Sequence, residues 1–213
     1  AYDVPLEQVT ASFIGATWGQ DITRQALIGL AVFLVLVSIV MALYFRTWKM
    51  SLAALTALAH DLLITGGIYG VLGYEITPAA VIGLLTILGY SLYDTVVVFD
   101  KVRENTLQDG EESSRTFAQS VNLAVNQTLV RSINTSVVAV LPVGSILFIG
   151  SLLLGAGTLR DIALALFIGM IAGTYSSVFI AAPMYVHLRE NEPENQKQGR
   201  KKREPRPTSG AVR

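Results

Sequence analysis

Apolar side chains come in five long runs broken by short polar stretches, with no sustained alternation of single apolar and polar positions. The runs lie at about 26–45, 50–73, 77–99, 133–154 and 162–186. As helices, each reaches across a hydrocarbon layer of ~30 Å, which takes about 20 residues. The first and fourth contain no charged side chain. Strands of four to eight residues would need turn signals that these runs lack. Their glycines and the mid-run Pro142 suit membrane helices better than soluble ones. The pattern predicts an all-α polytopic membrane protein with five transmembrane helices, the bundle occupying residues 26–188.

The polar stretches differ among themselves. "QDGEESSR" (108–115) is a turn-rich break, with Asp109-Gly110 as its strongest signal. After it, Phe117, Val121, Ala124, Val125 and Leu129 recur at helical spacing opposite Gln119, Asn122 and Asn126. This predicts a separate short amphipathic helix over about 114–130, lying on the cytoplasmic face of the membrane. Residues 189–213 are almost free of apolar side chains and are predicted to be a disordered basic tail, with anionic lipid as a possible contact.

Charge then orients the bundle. Arg46 and Lys49 follow the first run; Lys101, Arg103 and Arg115 follow the third; Arg189 and a cluster at 200–206 follow the fifth. The opposite loops offer only Arg160. An excess of Lys and Arg marks cytoplasmic loops, so the C-terminus is expected in the cytoplasm and the N-terminus outside. That outside start carries no basic segment followed by an apolar core, the mark of a signal peptide. Residues 1–25 therefore read as the remnant of an exported domain, with an upstream helix and the domain's body expected to precede them.

Composition narrows the function. Hydrophobic residues make up 52% and charged residues 15%, with a mean hydropathy of +0.50. That is too little charge to coat a soluble globule. A net charge of zero gives no electrostatic case for nucleic acid. There is no cysteine, which excludes thiolate and disulfide chemistry, and His60 and His187 cannot make a zinc cluster by themselves. No glycine loop carries the Lys-Ser/Thr that phosphate binding requires. No cofactor is expected.

The charges inside the runs are the candidate chemistry. Asp94 interrupts "YSLYDTVVVFD" (90–100), where an acid at a helix centre costs about 2.5–3.5 kcal/mol to insert. Tyr90 and Ser91, one turn back, are its candidate hydrogen-bonding partners. Desolvation favours the neutral acid and a nearby guanidinium the anion. A carboxyl balanced between the two can take up and release a proton. Arg131, at the mouth of the fourth run, is the candidate counter-charge, with snorkelling to the surface as its plainer role. His60-Asp61, halfway along the second run, is either a proton relay or a structural pair. Adjacent residues point ~100° apart on a helix, so one should face the interior and the other not. Gly169–Gly173 and Gly66, Gly67, Gly70 and Gly73 are small-residue faces for close helix packing, some of it expected against a partner subunit.

Four segments together resemble a known family: "GYSLYDTVVVFDKVREN" (89–105), "ALAHDLLIT" (57–65), "NQTLVRSINTS" (126–136) and "GTYSSVFIA" (173–181). In this order and spacing, over roughly 12–190, the chain is similar to the SecF members of the SecD/SecF family of bacterial protein export, relatives of the RND transporters. The resemblance implies helices two to six of a six-helix bundle in the cytoplasmic membrane, partnered by a SecD-like subunit and working with the Sec channel on unfolded secreted polypeptides. It implies an essential aspartate at Asp94, an essential arginine at Arg131 and the family's His-Asp pair at His60 and Asp61. It implies protons as the coupling ion, with sodium as the alternative. Two positions depart from the family pattern: Tyr93 stands where Asn is frequent, and Ile14–Gly19 lacks the usual proline, with Ala16 inside the element.

Three rival readings compete. An intramembrane aspartyl hydrolase needs two carboxyls sharing a proton, yet counting from the ends of the runs sets Asp61 and Asp94 about 10 Å apart in depth. A structural membrane subunit would tolerate Asn at position 94. A small-molecule exporter of the RND type shares the same helix inventory.

Overall fold

The computed structural model of the chain describes residues 16–108, 115–150, 157–190 and 192. The expected domain remnant up to residue 15, the Asp109-Gly110 turn and the basic tail from 193 lie outside the described residues. The described elements are helices: α1 (Ala16–Phe45), α2 (Trp48–Leu72), α3 (Pro78–Gln108), α4 (Phe117–Ser145), α5 (Gly157–Ser176) and α6 (Ala182–Arg189). A π-helical turn, Ile146–Gly150, extends α4, and a second, Ser177–Ala181, joins α5 to α6. Five helical stretches are long and apolar enough to cross a membrane, as the five runs predict.

Local sequence sets the boundaries. α2 stops at Gly73, whose left-handed φ of 67° lets its N–H close back on Gly70. Thr116 opens α4 through a capping box with Gln119, in which each residue's side chain bonds the other's backbone N–H. The π turn after α4 follows Pro142, which removes a helical donor one turn earlier.

The structure differs from the sequence reading at this end of the bundle. The amphipathic stretch expected to lie separately at 114–130 is the first half of α4 and runs unbroken into the fourth apolar run. No breaker stands between Phe117 and Ile133, so the helix has no reason to bend away. Likewise α3 continues eight residues past Asp100. At 31 residues it is about 46 Å long, well beyond the ~30 Å apolar layer. The two extensions pack together: Val102, Val121 and Ala124 are buried, and Asn105 Nδ2 donates to Gln127 Oε1 at 3.0 Å.

Packing follows the logic of a bundle in lipid, where close approach of small residues replaces the hydrophobic drive. Ala53, Ala57, Ala80, Ala165, Ala181 and Ala182 are buried, while Leu43, Leu63 and Val71 face outward, Val71 at 87% exposure. α3 lies at the centre, against α2, α4 and α5. A Cβ at Gly83 would come within 2.8 Å of Ala165 Cβ, and one at Gly169 would strike Ile87. The Gly169–Gly173 face is therefore consumed inside the chain, between α5 and α3. A Cβ at Gly66, Gly67 or Gly70 would meet nothing.

Each end is tied by polar contacts. At one, Lys49 Nζ bonds Glu192 at 2.8 Å and the Leu188 carbonyl at 2.9 Å, and Arg103 reaches the Tyr44 carbonyl. At the other, Thr77 Oγ1 donates to Asp161 Oδ2 at 2.7 Å and Tyr69 to the Asp161 carbonyl.

Candidate functional site

Asp94 stands midway along α3 and is 6% exposed. Ser132 Oγ, on α4, donates to its Oδ1 at 2.7 Å. Its Oδ2 is buried and has no hydrogen-bond partner among the described residues. Ser177, on the π turn after α5, is its other hydroxyl neighbour. Three elements thus converge on one carboxyl and leave one of its oxygens open.

Arg131 does not join them directly. It lies on the exposed side of α4 and makes no hydrogen bond or ion pair among the described residues. Its charge acts on Asp94 without contact. The reason is helical geometry: consecutive residues diverge by ~100°, so when Ser132 faces α3, Arg131 cannot.

Asp61 on α2 is fully buried. Ser91 Oγ donates to its Oδ2, His60 Nδ1 lies 3.3 Å from its Oδ1, and Ser176 is a further hydroxyl neighbour. His60 is part-exposed and lines a groove of about 380 Å³ with Ile64, Ile68, Phe167, Ile171 and Tyr175. Asp61 is thus the interior member of the pair and His60 the one at the surface, the division that helical spacing requires.

Two assignments from the sequence need correcting. Ser91 serves Asp61 and not Asp94, and Tyr90 OH donates to Ser136 Oγ at 3.2 Å, which in turn meets Thr174. Residues 90 and 91 are a turn behind Asp94 on the same helix, and their hydroxyls reach across to other helices. The depth mismatch of about 10 Å also disappears. Asp61 is held by Ser91, three residues and therefore ~4.5 Å of rise from Asp94. The ends of the apolar runs misled that estimate because α3 extends past the membrane and they mark no common depth. The paired carboxyls that the hydrolase reading needs are not seen: each is bonded to a serine of its own, and no hydrogen bond joins the two among the described residues.

Residues that sequence reasoning passed over complete the site. Thr95 Oγ1 lies 3.0 Å from Ser177 Oγ and bonds the Ser91 carbonyl at 3.1 Å. Ser176 and Ser177 both donate to the Gly173 carbonyl, at 3.2 and 2.8 Å. The available signal was the presence of hydroxyls in apolar runs of different helices, in "VRSINTS" and "GTYSSVF".

Comparison with known proteins bears on what this arrangement does. A family model described as "Protein export membrane protein SecD/SecF, C-terminal" matches residues 1–191. The protein translocase subunit SecF of Streptomyces coelicolor is 54% identical over 192 residues, covering 90% of this chain and 51% of the relative. The SecF of Mycobacterium tuberculosis strain H37Rv is 52% identical over 184 residues, covering 86% and 41%. The chain thus spans about half the length of the curated relatives it matches. The crystal structure of SecDF from Thermus thermophilus, titled a translocon-associated membrane protein, superposes with a TM-score of 0.72 at 37% identity, covering 83% of this chain and 23% of that one.

Proposed function

The chain belongs to the SecD/SecF family of protein-export membrane proteins, and on that premise we propose that it is an auxiliary subunit of the Sec machinery that spends a proton gradient on export. The observation that carries this reading is Asp94, a buried acid at the centre of a membrane bundle with one oxygen left open. A proton entering there neutralises the carboxylate, and its departure restores the charge. Each change of charge alters what Ser132 and the neighbouring helices are held against. Arg131, exposed on α4, sets the field at Asp94 and is placed for a partner as well.

In this reading the end holding Lys49, Arg103 and Arg189 faces the cytoplasm, in keeping with the excess of basic residues there. A SecD-like subunit completes the complex, supported by the SecDF structure and fusion among the relatives. The Sec channel and the unfolded secreted chain are the partners on which it acts. One charge crossing the full potential delivers about 2.3 kcal/mol per 100 mV, enough to tilt a conformational equilibrium of a few kcal/mol. Sodium remains the alternative coupling ion.

The test is complementation in cells depleted of their own subunit. The full-length protein should restore secretion of a reporter and co-purify with a SecD-like chain. Asp94→Asn should reach the same membrane level, keep the partner and fail to restore secretion. Full restoration by Asp94→Asn would leave Asp94 a structural group.

A further inference from the structure

Asp61 is a fully buried acid that the function proposed above does not use. Burying a carboxyl within a bundle carries a cost, and a hydroxyl would serve packing more cheaply. Its surroundings point beyond packing. Both of its oxygens are engaged, Oδ2 by Ser91 and Oδ1 by the His60 ring, and His60 opens onto the surface groove beside Tyr175. On the other side, hydroxyls lead toward Asp94. We infer that Asp61 is a second proton-carrying acid, reached from the bundle surface through His60 and joined to Asp94 by the hydroxyls that α3 and the π turn of α5 place between them. This rests on the proton-coupling reading of Asp94.

The geometry between the two acids supplies the link. Ser176 neighbours Asp61 and Ser177 neighbours Asp94, yet both donate to the one carbonyl of Gly173. A carbonyl receiving two hydroxyls loses little when one rotates away. Ser177 turning from Gly173 is beside Asp94, and Ser176 turning is beside Asp61. Thr95, 3.0 Å from Ser177 and bonded to the Ser91 carbonyl, ties the Asp94 side to the serine that holds Asp61. π turns concentrate at functional sites, and this one sets two consecutive serines facing two different acids.

The balance is simple. A proton from the groove is taken up at the outer ring nitrogen of His60 as the ring gives one from Nδ1 to the Asp61 carboxylate, which ends neutral with His60 unchanged. No proton crosses the Gly173 carbonyl, and Asp61 and Asp94 sense each other through the way the Ser176 and Ser177 hydroxyls point. Release runs the same way in reverse, from Asp61 through His60 to the groove. The charged groups around the pair are few. Asp61 faces His60 from its own helix, Ser91 from α3 and Ser176 from α5, while Arg131 from α4 acts on Asp94.

The experiment is infrared difference spectroscopy against pH on the full-length protein with its partner subunit in lipid, alongside gradient-stimulated export. The carbonyl stretch of a protonated carboxyl reports each acid. Two such bands are expected. Asp61→Asn should remove one, and Asp94→Asn should remove the other and shift the titration midpoint of the Asp61 band. Asp61→Asn should bring export down to its level without a gradient, and Asp61→Glu should recover part of the stimulation. Should Asp61→Asn fail to assemble, His60→Gln carries the test, because His60 is part-exposed. It should lower gradient-stimulated export toward its level without a gradient. Full stimulation in Asp61→Asn or His60→Gln, with Asp94→Asn inactive, overturns this inference alone. Full stimulation in Asp94→Asn removes the reading beneath it as well.

Discussion

Asp94 is held by hydroxyls from neighbouring helices. Ser132 donates to its Oδ1, and removing that hydroxyl leaves the oxygen buried without its donor. An unsatisfied buried acceptor costs about 1–3 kcal/mol. Ser132→Ala should therefore lower thermal stability in detergent by that order, while Ser145→Ala, whose hydroxyl is exposed and bonds only its own helix, should leave it unchanged. Equal effects of the two would show that the Ser132 bond carries no energy. At the cytoplasmic end proposed here, Glu192 gives a pH test. Partial burial alone would raise its pKa, but the bonds from Lys49 and Arg189 outweigh that and hold it below the ordinary glutamate range. Its contribution is then full above that range and is lost as pH falls through the lowered value. The stability gap between wild type and Glu192→Gln should be steady near neutrality and close in acid; a gap that widens in acid contradicts the clamp. Charge made the acids legible in sequence, because each carboxyl in an apolar run demands a reason. Their partners were not legible. A serine costs little to insert, so nothing in hydropathy separates Ser132, which faces Asp94, from Ser145, which faces outward.

The close packing of α5 on α3 is the tightest joint in the bundle, and its glycines are not equivalent to those of α2. A Cβ at Gly169 would meet Ile87 Cβ and Cγ2 at 3.0 Å and its Cγ1 closer still, and one at Gly173 would press Ser91 at 3.0 Å. Overpacking of this kind costs about 1–3 kcal/mol. Gly169→Ala should lower the unfolding temperature, and Gly66→Ala, with open space around it, should not; the reverse order would refute the packing described. The five helices themselves were readable because each run has 20 residues or more and lacks turn signals. The join of the amphipathic stretch to the fourth run was not, since polarity changes along α4 while the helix does not. A drop in hydropathy marks where a helix leaves the membrane, and only a breaker such as Gly73 marks where it ends.

Among the described residues many large apolar side chains face outward, while the interior combines alanines, hydroxyl-bearing residues and the two acids with a few large side chains such as Phe99, Ile87 and Tyr185. That arrangement suits a bundle whose centre changes charge while its rim stays in lipid or against a partner. Arg131, exposed on α4 beside the residue that holds Asp94, and the unpacked Gly66–Gly70 face of α2 are where a second subunit could meet this one without disturbing the interior. The central claim is that Asp94 carries the coupling proton. Inverted membrane vesicles holding the full-length protein with its partners test it most directly, by comparing export of a secreted reporter with and without an imposed proton gradient at saturating ATP. Wild type should be stimulated by the gradient, and Asp94→Asn should assemble normally, keep the unstimulated rate and show no stimulation. Stimulation of Asp94→Asn equal to wild type would contradict the account.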